Sequence, residues 1–229
     1  MDNLKMSKEE WNEVENTLFE MVPDYDKINK KITFGMDEKW RGAAALESEG
    51  TCTALEVGSG PGTLAVKLMS EKVICLDPIP EMHAAFRQKI KENFLPEDKF
   101  EFLTGSCESI PLPDNYVDIV YCAFSFRDFY DKEKGLCEIY RVLKNKGKLI
   151  ILDIAKPGKI RNKLIYFYIK RIAPLLVWKS REHIHYLAET YKAFASPRYY
   201  AKTVEDAGFK KIVIKFLSFG LAFMLVARK

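Results

Sequence analysis

The sequence predicts a doubly wound α/β fold: a mostly parallel, seven-stranded sheet with helices on both faces, an antiparallel last strand and an N-terminal helical cap. Three observations carry that expectation. Short apolar runs alternate with amphipathic stretches between residues 53 and 152, the pattern of strands buried on both faces and joined by helical crossovers. The first run breaks into alternating glycines. Polar side chains stand where the runs end, at Glu56, Asp77, Ser106, Arg127 with Asp128, and Asp153, and ligands of such sheets sit beyond the strand C-termini.

Taken in order, residues 7–22 place Trp11, Val14, Leu18, Phe19 and Val22 at helical spacing, with Ser7 as N-cap and Glu9 and Glu10 in the first turn. The mixture of polar and aromatic residues that follows, through Tyr25, Phe34 and Trp40, reads either as a cap over a cleft or as surface helices packing their aromatics on the core. Thr53–Val57 is the first strand, Ser59–Thr63 a turn, and Leu64–Met69 a helix. Val73–Leu76 is the second strand, followed by a helix over 80–93. Phe100–Thr104 and Val117–Cys122 are the third and fourth strands. A helix from about 131 to 143 is stopped by Asn145-Lys146-Gly147, and Lys148–Leu152 is the fifth strand. Residues 202–208 form a short helix, and Lys211–Leu217 and Ala222–Ala227 a hairpin, its last strand antiparallel at or near the sheet edge.

The chain has 229 residues, 48% apolar and 30% charged, with a net charge of +4. That is ordinary for a globular enzyme and too weakly basic for a dedicated nucleic-acid binder. One domain over 1–229 is the expectation, with a cap over 1–50 and a substrate-side helical insertion over 155–200. The five cysteines are scattered and lack CxxC spacing; four lie in or beside apolar segments, so buried free thiols in a reducing compartment are expected. No apolar targeting segment opens the chain, and the expected location is cytoplasmic. No metal site is apparent, since His183 and His185 lack a third ligand nearby in sequence. His83, in the helix after Asp77, is expected at the surface.

The stretch Leu55-Glu56-Val57-Gly58-Ser59-Gly60-Pro61-Gly62 organises the rest. Glycines let a backbone approach a nucleotide-like ligand, and a helix start turns free N–H groups toward it. Alone, that turn binds nothing in many proteins. Asp77 lies 19 residues after Gly58, at the next strand end, where a carboxylate can accept ribose hydroxyls; an Asp-Pro turn starting a helix at Pro78 is the plainer alternative. Glu56 suits a cationic ligand, and the compact GxGxG favours a sulfonium-bearing nucleoside over a dinucleotide.

These residues resemble the class I S-adenosylmethionine-dependent methyltransferases, which have a Rossmann-like sheet. Further stretches resemble the ubiquinone/menaquinone biosynthesis C-methyltransferases (UbiE-type): Tyr25-Asp26-Lys27-Ile28-Asn29, Phe124-Ser125-Phe126-Arg127-Asp128, Tyr140-Arg141-Val142-Leu143-Lys144 and Tyr186-Leu187-Ala188-Glu189. The resemblance spans about 22 to 227. It departs at Asp37, where that branch usually has His, and at Ser106, where it has Asn or Asp; Ser106 and Cys107 can offer a hydroxyl and a backbone N–H to adenine instead. The resemblance implies S-adenosyl-L-methionine as cofactor, held by Tyr25, Glu56, Gly58, Gly60, Gly62, Asp77, Pro78, Ser106, Cys107, Glu108 and Phe124. It implies catalysis by Arg127, Asp128 and Tyr186, and as substrate a demethylated polyprenyl quinol. Other readings are O- or N-methylation of another small or lipidic acceptor, S-adenosylmethionine binding without turnover, and a NAD-binding oxidoreductase. Ile160–Trp178, apolar yet basic, is read as core-covering helices, as the wall of an isoprenoid pocket, or as a segment resting on membrane lipid. Nothing in the sequence sets an oligomeric state.

Overall fold

The computed structural model describes residues 4–156 and 158–229, the side chains of 159, 160, 179, 183, 186, 189, 190, 192 and 193 excepted. Its centre is a seven-stranded sheet in the order β3-β2-β1-β4-β5-β7-β6. The strands are β1 Thr53–Val57, β2 Lys72–Asp77, β3 Phe100–Thr104, β4 Val117–Ala123, β5 Leu143–Ile154, β6 Lys210–Leu217 and β7 Ala222–Arg228. β1 to β5 pair in parallel, and β7 runs antiparallel to both neighbours. β7 lies one place in from the edge, and β6 is the edge strand. The apolar content of the two strands explains the order: β7 is buried along most of its length and β6 is half open.

Period-two alternation sorts each strand between two cores. Leu55 and Val57 enter one, with Leu136 and Ile139 of helix α5 (Lys132–Val142) and Tyr200 and Val204 of α9 (Pro197–Asp206). Ala54 enters the other, with Trp40 and Ala44 of α3 (Met36–Ala45) and Phe86 and Ile90 of α4 (Pro80–Glu92). A third cluster joins Ile28 of α2 (Tyr25–Ile32) to Ile184 and Ala188 of α8 (Arg181–Ala193) and to Ile169. The N-terminal helix α1 (Lys8–Met21) starts with a capping box in which Ser7 and Glu10 exchange hydrogen bonds.

Four expectations change. The helix expected over 64–69 is a single 3₁₀ turn, Ala65–Lys67, because β2 begins at Lys72 and leaves no length for more. Asn145-Lys146-Gly147 does not end α5, which stops at Val142, but lies within β5: Val117 pairs with Leu143 and Ile119 with Lys148, so the residues between bulge out, with Lys146 at φ +67°. Cys75, Cys107 and Cys122 are buried while Cys52 and Cys137 are exposed, all as free thiols. His83 is buried, its ring 5.2 Å from that of Phe102.

Candidate active site

The strand order reverses direction between β1 and β4, which leaves a crevice at their C-terminal ends. The glycine turn forms its floor. Gly58 and Ser59 donate their N–H groups to the Leu76 carbonyl at 2.8 and 3.1 Å, lashing the turn to β2. Gly58, Gly60 and Gly62 all have positive φ, but only the first two line the cleft. A Cβ on Gly58 would stand 2.5 Å from the Ser125 Cβ. Gly62 is turned inward: a Cβ there would lie 2.4 Å from the Phe86 ring, so this glycine serves packing.

Asp77 closes the turn. Its Oδ2 accepts from the Gly60 N–H at 2.7 Å and its Oδ1 from the Ile79 N–H at 3.0 Å. Burial pushes its pKa up to about 6, against those two hydrogen bonds, which lower it. A carboxylate has about four acceptor positions, so Asp77 retains capacity for hydroxyl donors in the cleft it lines.

Glu56 is 1% exposed, and its Oε2 has no hydrogen-bond partner. Burial drives its pKa up to about 8, and the nearby positive charge of Arg41 offsets only part of that. Arg41 is itself buried, its guanidinium 4.7 Å from the centre of the Phe124 ring. Phe124, at the end of β4, has φ +61°; such a conformation costs a non-glycine residue roughly 1–2 kcal/mol and is typical of sites under constraint. Phe124 also lines the cleft.

Across the crevice, the 3₁₀ turn Phe126–Asp128 carries Arg127 and Asp128. Arg127 Nη1 donates to Asp153 Oδ1, and its Nε lies 3.5 Å from Asp128 Oδ2. The Phe194 ring covers the guanidinium at 4.9 Å. Asp153, 1% exposed at the end of β5, also accepts from the Ile154 N–H at 2.7 Å, while its Oδ2 has no partner. Burial pushes the Asp128 pKa up to about 6; Arg127 pulls it down and Asp153 pushes it up. A second cation, Lys132, is buried below, donates to the Phe129 carbonyl at 3.2 Å and is shifted down by burial. A cluster of the half-buried Arg127 and Asp128 with the buried Lys132 and Asp153 therefore stands at one end of the cleft.

The cleft is lined by Tyr25, Gly58, Gly60, Asp77, Pro78, Ser106, Cys107, Glu108, Phe124, Arg127 and Asp128 of the expected residues. Glu56 sits behind its floor and Gly62 faces away. The Tyr186 and His183 side chains lie outside the described residues, and His185 is exposed. Glu108 is also engaged structurally, accepting from the Asp131 N–H at 2.9 Å. Burial raises the Cys107 thiol pKa, keeping it neutral. The sequence reading missed the far wall: Leu18 and Met21 of α1, Asn29 and Ile32 of α2, and Ile184 and Leu187 of α8. The expected cap over 1–50, the insertion over 155–200 and the Tyr25–Asn29 and Tyr186–Glu189 stretches pointed to these elements without singling out the lining residues.

The sequence profile of the ubiE/COQ5 methyltransferase family matches residues 4–229. The chain belongs to this family. It is thus a methyl-transferring enzyme. It is similar to the demethylmenaquinone methyltransferase of Thermus thermophilus, 34% identical over 214 residues, covering 89% of this chain and 95% of that one. It is also similar to that of Bacteroides fragilis, 31% identical over 227 residues, covering 95% and 92%. Among solved structures it resembles a SAM-dependent methyltransferase from Aquifex aeolicus, with TM-score 0.63 and 25% identity over 89% of this chain and 97% of that one. For this methyltransferase, the features that fit a cationic nucleoside donor are the orphaned Glu56 oxygen, the open side of the cleft-lining Gly60, and the part-used Asp77 carboxylate.

Proposed function

We propose that the protein is an S-adenosylmethionine-dependent C-methyltransferase of a demethylated polyprenyl quinol. The observation that carries this reading is one cleft that joins the glycine turn and Asp77 to the Arg127–Asp128 turn and then to an apolar wall of Leu18, Met21, Ile32, Ile184 and Leu187. Such a cleft suits a charged nucleoside, a polar ring and a hydrocarbon tail in sequence. The named activity of the Thermus and Bacteroides relatives points the same way.

Asp77 would hold the ribose hydroxyls, Gly58 and Gly60 would admit the ligand close to the backbone, Glu56 would attract its positive charge from behind the floor, and Ser106 and Cys107 would meet the adenine. Tyr25, Pro78, Glu108 and Phe124 would shape the pocket around it. When bound, S-adenosylmethionine supplies a methyl group made electrophilic by its sulfonium.

The chain's own task is to make a ring carbon nucleophilic and keep water out. Asp128, with a pKa near 6, would take the proton of a quinol hydroxyl at neutral pH. The Arg127 guanidinium would stabilise the phenolate that results, which raises electron density at the ortho carbon. After methylation that carbon loses its own hydrogen as a proton and the ring regains aromaticity, so one proton is released per turnover. Asp153 holds Arg127 in place and is not expected to touch the substrate. A polyprenyl acceptor resides in the bilayer, so the enzyme would work at a membrane surface.

Purified protein incubated with S-adenosylmethionine and a demethylmenaquinol tests this by mass spectrometry. The expected product carries one methyl on the ring and still oxidises to a quinone. A product that no longer oxidises to a quinone would mean O-methylation and overturn the assignment, as would no methylation at all.

A further inference from the structure

Helix α6 (Lys159–Phe167) continues through a π-turn, Tyr168–Ile172, into the short helix α7 (Ala173–Leu176). One side of this rod is packed. Ile165, Ile169, Ala173 and Val177, in steps of four, belong to the cluster that contains Ile28, Ile184 and Leu187, and the last two of those wall the cleft. The opposite side is bare. Leu164, Phe167, Leu175 and Trp178 are between 57% and 69% exposed, and together with the exposed Arg171 they follow one another in steps of three or four.

Two more aromatics extend this face. Phe34 is 69% exposed and its ring stands 6.2 Å from that of Tyr168; Phe219 is 99% exposed and its carbonyl accepts from Arg161 Nη1 at 3.1 Å. Both have positive φ, +52° and +56°. The bare rings bear a cost in water that a partner surface would relieve. The charge is equally one-sided. Between Asp153 and Glu182 the sequence has eight lysines and arginines and no acidic residue. That is twice the net charge of the whole chain, so the remainder is net acidic.

We propose that this face docks the protein on an anionic lipid bilayer. Leu164, Phe167, Leu175 and Trp178, flanked by Phe34 and Phe219, enter the boundary between headgroups and acyl chains, and the basic residues of the rod meet lipid phosphates. No helix of the described residues is long and apolar enough to cross a membrane, which fits docking at the surface. A second copy of the chain is a poor occupant because like charges would meet across the interface. Nucleic acid is poorer still, since the exposed stripe is apolar. The docking deepens the polyprenyl quinol reading and rests on it for its purpose: the rod's inner face belongs to the cluster that walls the cleft, which would let a tail pass from lipid to site without crossing water.

Sedimentation of the full chain with vesicles tests the proposal. Binding is expected to vesicles of phosphatidylcholine with about 30% phosphatidylglycerol, to weaken strongly on phosphatidylcholine alone, and to fall at about 0.5 M salt. The double variant Leu175→Glu/Trp178→Glu should lower the bound fraction by about tenfold or more, with turnover of a tail-less quinol within about twofold of the parent, which also shows that the variant is folded. Equal binding by parent and variant would overturn the proposal, as would no binding to anionic vesicles. A dimer in solution that this variant dissolves would overturn it too. Vesicle binding without methylation of any quinol would uphold the docking and remove the substrate reading.

Discussion

Glu56 combines full burial with an oxygen that has no partner, and this has two measurable consequences. Its folded pKa of about 8 lies above its ordinary 4.5, so the folded chain binds more protons than the unfolded one between those values and stability falls as pH rises through that window. By linkage the cost at pH 7 is about 3 kcal/mol. Glu56→Gln should therefore flatten the decline in Tm between pH 5 and 8 in ligand-free protein; an unchanged slope would refute this account. A cationic ligand beside Glu56 would restore its charge, so binding of S-adenosylmethionine at pH 7 should release up to about one proton. Calorimetry in buffers of different ionisation enthalpy measures that proton, and Glu56→Gln should abolish it. At the other end of the cleft, Asp128→Asn should lower kcat by about 10² and remove the acid limb near pH 6. Arg127→Lys should lower turnover with near-normal cofactor binding, whereas Asp77→Ala should weaken cofactor binding about tenfold or more. The opposite pattern would exchange the two roles. Lysine is the better probe at Arg127, because alanine would leave Asp153 buried without its cation.

At the scale of elements, the turn after β1 does its work without a helix dipole. A three-residue 3₁₀ turn follows it, so close backbone approach and the Gly60–Asp77 hydrogen bond are what shape the floor. Gly62→Ala tests the packing half of the motif. A methyl group there meets the Phe86 ring and must adopt φ +75°, which together should cost about 3 kcal/mol. Its urea midpoint should drop accordingly, and Phe86→Leu in the same chain should recover the part due to collision. A neutral Gly62→Ala would show that α4 moves freely, contrary to the tight packing of Phe86 against Phe100 and Phe102 at 5.1 and 5.4 Å. The strand runs were legible because each is apolar and bounded by turn residues. The helix over 64–69 was misread because a run such as Leu64-Ala65-Val66 fits a buried helix and a buried turn alike, and only the distance to β2 separates them.

For the whole molecule, the reversal of strand order between β1 and β4 puts Asp77, the glycine turn and the Arg127 turn around one crevice. The helices α1, α2 and α8 close its far side. A ligand that binds this assembled state stabilises it by about 2.7 kcal/mol at a hundredfold excess over its Kd. S-adenosylmethionine at that excess should raise Tm by roughly 5–10 °C, and NAD should not. A shift with NAD alone would favour an oxidoreductase.

The parts read correctly from the chain rest on short-range physics. Alternating and continuous apolar runs, the Ser7 N-cap, the glycine turn and an acid at the end of β2 each depend on neighbours within a few residues. Membership of a methyltransferase family was expected from a resemblance carried by motifs from about 22 to 227, and the family profile over 4–229 shows it. What only the folded molecule decided rests on long-range desolvation and pairing. Arg127 meets Asp153 across 26 residues of chain, Glu56 loses water while one of its oxygens gains no partner, Gly62 turns to Phe86 while Gly58 and Gly60 face the cleft, and His83 is buried. The apolar segment over 160–178 shows both kinds at once: its composition was plain in the sequence, but which side packs and which stays bare depended on where α2 and α8 came to lie.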